Sequence, residues 1–302
     1  MFDCMIVGGG IAGLQAAIQL GRYSAYNVVV IDKGTGRSTL CRSYHNILGW
    51  PEGIAGEELR KRGRGQAENV GVTFRQDTIV KAETIKDGFA LSGESGKLYE
   101  GRMLLLATGL TDRFPDIPGL VPTLGRTVYV CPDCDGYEVQ DRKTIVMGAG
   151  NPGADMAILL RDRTRDITYV NHEQTPVDPG RMKEMETRGI SYADINITRI
   201  LLKEDGLIQG VGLGDGSVLP AERGFISFGG NQVHSELALQ LGAEIEHNRH
   251  VKADPRTKMT NIQNVWVAGD LGVHSELATV AMGDGATAAI WINKALKKCS
   301  GR

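Results

Sequence analysis

The stretch CMIVGGGIAGLQAAIQL, residues 4–20, decides the fold of this chain. Its apolar start predicts a buried strand over residues 4–7. The apolar side chains after the glycines recur at helical spacing, which predicts a helix from Ile11 to about Arg22. The apolar run at residues 28–31 predicts the next strand. A strand, a glycine turn, a helix and a second strand form half of a doubly wound α/β fold.

A second unit of the same kind begins near the middle of the chain. Residues 144–147 predict a strand, residues 148–153 hold the glycines, and an apolar-periodic helix over 154–160 follows. The chain later resumes an apolar strand at 265–268 and ends in a helix near 278–296. These late elements continue the pattern of the first unit, so the first unit is interrupted by the second.

We therefore predict an α/β chain with two Rossmann-like, three-layer nucleotide-binding domains, the second inserted into the first. A length of 302 residues suits two modest domains. Prolines and glycines between residues 115 and 125 mark the first crossing between them. The predicted boundaries are 1–113 and 245–302 for the first domain and 114–244 for the insert.

The first glycine turn has the spacing of a dinucleotide site. Gly8, Gly10 and Gly13 follow a predicted strand and open a helix, where glycines permit a tight turn, close approach of a pyrophosphate and close helix packing. Asp32 ends the next strand, where a carboxylate accepts hydrogen bonds from an unphosphorylated ribose. The alternative is a glycine-rich turn that binds nothing.

Two distant strand ends favour a dinucleotide at the first turn. Thr108 and Gly109 end one buried strand, and Gly269 and Asp270 end another. Small residues and a carboxylate suit contact with the rest of an extended dinucleotide. The three sites together predict FAD as the cofactor.

The second glycine turn leaves its ligand open. Gly148, Gly150 and Gly153 repeat the spacing, and Glu173 falls near the ribose position. An NADP site requires a basic residue there, but the stretch VNHEQ, residues 170–174, has none, and a carboxylate repels the 2′-phosphate. NADPH is therefore disfavoured. NADH, a second FAD and a turn kept only for packing remain open.

The sequence CPDC, residues 131–134, places two cysteines at a predicted strand end that enters a helical turn. Such a pair brings two sulfurs into disulfide range, and a helix N-terminus can lower a thiol pKa, which suits dithiol–disulfide exchange by Cys131 and Cys134. Half of a zinc site is the alternative, but no second cysteine pair exists. Asp135 can shuttle a proton to a departing thiolate or cap the following helix.

Composition excludes several classes of partner. The 34 Lys and Arg nearly balance the 36 Asp and Glu, and a net charge of −2 gives no broad reason to bind nucleic acid or an anionic membrane. No apolar stretch reaches the roughly 18 residues of a membrane span, and no signal or transit peptide is recognisable. We expect a cytoplasmic protein. The six histidines lack metal-ligand spacing, so no metal site is predicted.

The order of these motifs resembles low-molecular-weight thioredoxin reductases over essentially the whole chain. The resemblance implies a homodimer in which Cys134 lies against the flavin, Cys131 attacks the partner disulfide, and Asp135 assists as acid and base. With Asn46 carried over in the same way, the predicted FAD-binding set is Gly8, Gly10, Ile11, Ala12, Gly13, Asp32, Lys33, Asn46, Thr108, Gly109, Gly269, Asp270 and Ala278.

Two departures from that family concern the pyridine nucleotide. NADPH-dependent members carry an HRRxxxR-like cluster where this chain has NHEQ, residues 171–174, and Arg-Gln where it has Glu276-Leu277. The pattern is similar to enzymes that take electrons from ferredoxin, to two-flavin forms and to dithiol oxidases of small molecules.

The leading hypothesis is an FAD-dependent disulfide oxidoreductase acting on thioredoxin or another disulfide, with ferredoxin as a candidate donor and NADPH not used efficiently. Alternatives are an oxygen-using dithiol oxidase, an NADH- or NADPH-dependent thioredoxin reductase, and a flavin redox sensor.

Overall fold

The computed structural model describes residues 1–299, and they divide into two compact units. Unit 1 comprises residues 1–39, 56–111 and the chain from 232 onward; unit 2 comprises residues 40–55 and 112–231. Each unit is built on a sheet with parallel strands and packed helices, so the predicted α/β fold with two Rossmann-like units is confirmed.

Unit 1 holds a seven-stranded sheet in the order β3-β2-β1-β6-β5-β4, with the seventh strand, β17, also paired to β6. β1, β2, β3 and β17 run parallel to their neighbours, whereas β4 and β5 form an antiparallel hairpin. A two-stranded ribbon joins β7 to β16. The strands are β1 (Phe2–Val7), β2 (Val28–Asp32), β3 (Thr73–Gln76), β4 (Ile79–Ile85), β5 (Gly88–Gly93), β6 (Leu98–Leu106), β7 (Leu110–Thr111), β16 (Gln232–Val233) and β17 (Val265–Val267).

The helices of unit 1 cover this sheet. β1 and β2 are almost wholly buried, which explains their unbroken apolar runs. The N-terminal helix packs closely on the C-terminal helix at Gly285. A Cβ added there would lie 2.2 Å from the carbonyl oxygen of Ala12, so only glycine fits. The helices are α1 (Ile11–Gly21), α2 (Arg37–Leu40), α3 (Gly56–Asn69), α7 (Glu236–Gln240) and α8 (Ala278–Cys299).

Unit 2 holds a five-stranded parallel sheet in the order β11-β10-β9-β15-β8 and a three-stranded antiparallel sheet, β12-β13-β14. Short 3-10 helices span Val121–Thr123 and Gly136–Val139. The other elements are β8 (Val128–Tyr129), α4 (Pro132–Asp135), β9 (Thr144–Gly148), α5 (Gly150–Leu160), β10 (Ile167–Asn171), α6 (Pro179–Thr187), β11 (Ser191–Ala193), β12 (Ile197–Leu202), β13 (Ile208–Leu213), β14 (Val218–Pro220) and β15 (Arg223–Ser227).

The compact units and the predicted domains differ at residues 40–55, 112–113 and 232–244. The predicted insert, 114–244, shares residues 114–231 with unit 2, but residues 232–244 lie in unit 1 and residues 40–55 lie in unit 2. Residues 232–244 belong with unit 1 because β16 pairs with β7, and because Gln240 of α7 hydrogen-bonds the backbone of β4.

Neither α3 nor α6 is predicted from the sequence. α3 has only Gly56 and Ala67 buried, and α6 has only Met185, so neither carries the apolar periodicity that marks an amphipathic helix. α5 also begins earlier than predicted, at Gly150 rather than residue 154, because the glycines form its first turn. Within residues 1–299, no helix combines the length and apolar character needed to cross a bilayer.

Candidate active site and dinucleotide turn

The first turn, residues 8–13, needs two of its glycines for its own packing. Gly8 has a φ of +106°, and a Cβ there would lie 2.3 Å from the carbonyl oxygen of Ala107. A Cβ at Gly13 would lie 2.0 Å from the carbonyl oxygen of Gly8. These contacts bring α1 against the ends of β1 and β6 and leave no room for a side chain.

Gly10 is different, because a Cβ at this position would meet nothing within 4 Å. Its φ of −75° is also open to any residue. Neither packing nor backbone conformation explains a glycine here. The space beside Gly10 is therefore the kind of cradle that a pyrophosphate fills, and the turn fits the predicted FAD.

Asp32 is fixed beside this turn, at the end of β2. Its Oδ1 accepts a hydrogen bond from the Gly9 N–H at 3.0 Å, and its Oδ2 accepts one from Arg60 Nη2 at 2.7 Å. The carboxylate thereby has a defined orientation at the position where a dinucleotide ribose lies. Arg60 comes from α3, so the sequence could not have placed it here.

The remaining predicted cofactor residues lie mostly at neighbouring strand ends of unit 1. Thr108 Oγ1 donates to the His234 carbonyl at 2.7 Å, and Gly109 has a φ of +65°. A Cβ at Gly269 would lie 2.8 Å from Ala12 Cβ. Ile11 and Ala12 open α1, Lys33 is an exposed residue after β2, Ala278 begins α8, and Asp270 follows β17.

Asn46 is the one predicted FAD-binding residue that does not belong to unit 1. It belongs to unit 2, in a loop closed by the backbone bridge between Tyr44 and Ile54. Its role in holding FAD stays a prediction.

Arg37 is a site residue that the sequence argument missed. Its Nη1 lies 3.1 Å from Asp270 Oδ2 and 2.8 Å from Glu276 Oε2. All three side chains are at least two-thirds shielded from solvent, and His250 Nε2 lies 3.8 Å from the other oxygen of Glu276. Glu276, which replaces the expected arginine, is thus neutralised by a guanidinium from α2.

We expect Arg37→Met to weaken flavin retention at least about tenfold, because it leaves Asp270 and Glu276 as unpaired carboxylates in the segment before α8. Flavin released per chain after dilution of the purified holoprotein measures the effect. Arg62→Met is the matched control, since Arg62 lies on α3 and is paired with Glu58 at an exposed position. Equal flavin retention in both variants would contradict the assignment.

A cluster of polar side chains that the sequence did not indicate surrounds Asp284 on α8. This nearly buried carboxylate contacts Lys258 Nζ at 2.8 Å, His274 Nε2 at 2.5 Å and the Gly269 N–H at 3.3 Å. Burial opposes ionisation, but the hydrogen bonds from His274 and Lys258 outweigh it and hold the pKa of Asp284 below its usual range. The hydrogen bond to Asp284 raises the pKa of His274. The cluster fixes the strand end at Gly269.

The redox motif, residues 131–134, has the geometry of a dithiol pair in unit 2. Cys131 follows β8 and is the N-cap of α4, and the two Sγ atoms lie 2.7 Å apart. Cys131 Sγ also accepts the backbone N–H of Cys134 at 3.3 Å. The backbone N–H directed at Cys131 favours negative charge on that sulfur. The Cys134 N–H belongs to the first turn of α4, so this hydrogen bond is the local form of the helix-terminus effect that the sequence suggested.

Asp135 follows the motif with an altered acidity. Burial, assisted by the negative charge of Glu138, raises the pKa of Asp135 to about 7. Glu138 Oε1 in turn lies 3.8 Å from His45 Nδ1, and His45 Nε2 lies 3.1 Å from Ser43 Oγ. The Asp135 side chain caps no helix N–H. Of the two predicted roles, the proton shuttle is therefore the one its environment favours.

The second turn, residues 148–153, repeats the packing of the first turn but not its open space. Cβ atoms at Gly148 and Gly153 would lie 2.4 Å from the Ser227 carbonyl oxygen and 2.3 Å from the Tyr169 ring. A Cβ at Gly150, the counterpart of Gly10, would lie 3.0 Å from Thr175 Cγ2. The place that is open beside Gly10 is thus filled by the chain itself.

Polar groups of the chain also occupy the second turn. Asn171 is buried at the end of β10, the position that corresponds to Asp32, and its Oδ1 accepts the Gly150 N–H at 2.9 Å. Its Nδ2 donates to the Thr175 carbonyl at 2.8 Å. Asn151 and Asp178 exchange two hydrogen bonds of 2.9 Å, so residues 173–178, here called the strap, are tied to the start of α5.

Glu173 does not lie at the strand end that corresponds to Asp32. Its carboxylate accepts two hydrogen bonds from Arg113, at 2.7 and 2.8 Å, and Arg113 Nε donates to the Gly229 carbonyl at 3.1 Å. The structure therefore brings a basic residue to Glu173 that the local sequence lacks. Its charge is already paired bidentately with the carboxylate.

Within residues 1–299, no group of three or more His, Cys, Asp or Glu side chains is arranged to hold a metal ion.

Comparison with known proteins extends these observations over nearly the whole chain. The family model described as "Pyridine nucleotide-disulphide oxidoreductase" matches residues 2–285. The thioredoxin reductase aclD of Aspergillus oryzae is 26% identical, covering 97% of this chain and 95% of that protein. A thioredoxin reductase of Streptomyces coelicolor is 27% identical, covering 95% and 92%.

The fold is also similar to that of a solved structure. The crystal structure of HlmI superposes with a TM-score of 0.85 at 26% identity, covering 99% of this chain and 94% of HlmI. The family match includes both glycine turns and the redox motif within a single span. The chain therefore belongs to the pyridine nucleotide-disulphide oxidoreductase family and is an FAD-dependent disulfide oxidoreductase similar to thioredoxin reductases.

Proposed function

We propose that this enzyme exchanges electrons between FAD and a partner disulfide through Cys131 and Cys134, and that NADPH does not drive it. The contrast between the two turns carries the proposal: the space beside Gly10 is open, whereas Thr175 and Asn171 fill the corresponding space beside Gly150. A dinucleotide at the second turn would have to displace the strap and break its hydrogen bonds.

The first turn and its neighbouring strand ends would hold the FAD. Gly10 gives the pyrophosphate access to the backbone, Asp32 accepts from the ribose, and Asp270 is held by Arg37. When bound, FAD supplies the electron pair that reduces a disulfide. The partner we propose is thioredoxin or another protein disulfide, the donor is ferredoxin or a similar carrier, and the working form is a homodimer.

The chemistry of the chain itself is thiol–disulfide exchange. The Cys131 thiolate attacks one sulfur of the substrate, so the substrate S–S bond breaks, a mixed disulfide forms at Cys131, and one thiolate leaves. Cys134 then attacks Cys131 Sγ and releases the second substrate thiol. The pair ends as a disulfide, having lost the two electrons that the substrate gained. The Asp135 carboxyl supplies a proton to the departing thiolate.

This proton transfer predicts a pH dependence. The raised pKa of Asp135, about 7, means that its carboxyl is protonated below this pH and ionised above it, so the acid-assisted rate falls as pH rises through about 7. Asp135→Asn should remove this fall from the pH–rate profile, here called the acid limb, and lower the rate near pH 6 about a hundredfold. Rates of exchange with a neutral disulfide, measured from about pH 5 to 9, test it.

Glu138→Gln keeps the Asp135 carboxyl but should change its pKa. Removing the negative charge of Glu138 stabilises the Asp135 carboxylate, so the acid limb should move to lower pH without disappearing. Glu222→Gln, an exposed carboxylate paired with Arg142, is the control and should leave the acid limb unmoved. If all three variants keep the wild-type profile, Asp135 is not the proton donor.

The choice of donor is tested by anaerobic titration of the holoprotein with NADPH, NADH and reduced ferredoxin while flavin absorbance is followed. Bleaching by ferredoxin but not by NADPH is expected. Flavin released on denaturation should amount to one per chain, since the second turn is filled. Rapid bleaching by NADPH, or a second flavin, would refute the proposed role of the strap.

A further inference from the structure

The surroundings of the redox motif are acidic. Residues 127–141 contain four carboxylates and no Lys, Arg or His. Asp133, between the two cysteines, is exposed and forms no ion pair with any residue in 1–299. It is therefore a solvent-facing negative charge next to Cys134 and two residues from Cys131 in the chain.

The cationic groups that approach the motif from neighbouring segments are directed elsewhere. His45 faces Glu138 at 3.8 Å, and Arg223 Nε donates to the Glu138 carbonyl at 3.1 Å. Asp135 is withdrawn from water by burial. Asp133 is thus the exposed carboxylate within the redox motif itself.

An exposed aromatic ring lies on the same short segment. Tyr137 comes three residues after Cys134 and is 76% exposed, so its ring contributes little to the core. An uncovered aromatic ring attracts cationic groups as well as apolar ones. This observation is independent of the carboxylates and is compatible with a cationic ligand.

We propose that Asp133 is a specificity-determining residue that favours disulfides bearing positive charge beside their sulfurs. The inference rests on the proposed function, because it names the substrate class of the Cys131–Cys134 pair. A carboxylate within several ångströms of a cationic group accelerates its encounter with Cys131 and slows that of an anionic one.

The test uses a step that needs neither flavin reduction nor a donor. In a Cys134→Ser background, Cys131 attacks a small disulfide, the disulfide bond breaks, one thiol leaves, and the mixed disulfide on Cys131 persists because no second cysteine resolves it. Its rate of formation is measured by peptide mass spectrometry. The probes are cystamine, which is dicationic, hydroxyethyl disulfide, which is neutral, and dithiodipropionate, which is dianionic.

The leaving thiols differ in intrinsic reactivity, so the readout is the cystamine-to-dithiodipropionate rate ratio of each variant divided by that of the parent protein. We expect Asp133→Asn to lower this ratio about threefold and Asp133→Lys to lower it at least about tenfold, with both effects shrinking at high salt. Hydroxyethyl disulfide should react at a similar rate in all variants.

Asp162→Asn is the matched control, because Asp162 is exposed in unit 2 but precedes β10, at the opposite sheet edge from the end of β8. A ratio unchanged in both Asp133 variants, with normal reaction of the neutral disulfide, overturns the inference alone. Absence of any adduct at Cys131 would overturn the proposed function as well.

Discussion

We expect Cys134→Ser to lower steady-state disulfide reduction by the holoprotein at least about a thousandfold, while a mixed disulfide accumulates on Cys131. The two Sγ atoms lie 2.7 Å apart, so Cys134 is the one group in the motif placed to resolve an adduct on its partner. A serine hydroxyl is too weak a nucleophile for that step. Thiol release from a neutral disulfide, with a chemical reductant of the flavin, measures turnover.

Two further variants distinguish the roles of the cysteines. Cys131→Ser should also stop turnover, but without forming an adduct, because the sulfur that accepts both hydrogen bonds of the motif is gone. Cys299→Ser, which removes an exposed thiol of α8, should behave as wild type. Turnover by Cys134→Ser at more than a few per cent of the wild-type rate would exclude the dithiol mechanism.

Gly10→Ala and Gly13→Ala should impair different properties, flavin binding and stability respectively, although both residues lie in the same turn. An added Cβ at Gly13 would lie 2.0 Å from the Gly8 carbonyl oxygen, so α1 must move off β1 and the free energy of unfolding should fall by about 3 kcal/mol or more. At Gly10 the Cβ meets no protein atom, so the apoprotein should fold normally but bind flavin at least about tenfold more weakly.

Thermal unfolding of the apoproteins and flavin titration separate these two effects. Gly65→Ala on α3 is the control, because a Cβ there meets nothing within 4 Å and the position lies outside the turn. It should bind flavin normally and gain up to about 1 kcal/mol in stability from better helix propensity. If Gly10→Ala retained wild-type flavin affinity, the pyrophosphate would not lie where we place it.

The contrast between the two turns also explains how one architecture serves two purposes. In both turns the first and third glycines permit the helix to pack on its strand. The middle glycine faces open space in unit 1 and the Thr175 side chain in unit 2. The second unit therefore keeps the packing function of the motif and, on our proposal, uses its sheet to present Cys131 and Cys134.

The sequence alone determined the strands and helices around both glycine turns, because an apolar run and a turn glycine act on residues that are adjacent in the chain. The same local logic identified CPDC, residues 131–134, as a redox pair. It failed for α3, which has almost no apolar period to recognise. Packing on α1 and the ion pairs Glu58–Arg62 and Arg64–Glu68 support this helix instead.

Only the tertiary structure decided the environment of each site. Arg37 meets Asp270 across more than two hundred residues, and Asn171 fills the second turn through contacts that no spacing rule contains. The acidity of Asp135 depends on burial, which is a property of the folded chain. Local sequence thus set where the backbone turns, whereas charge pairing, occupied space and desolvation arose from residues that folding alone brings together.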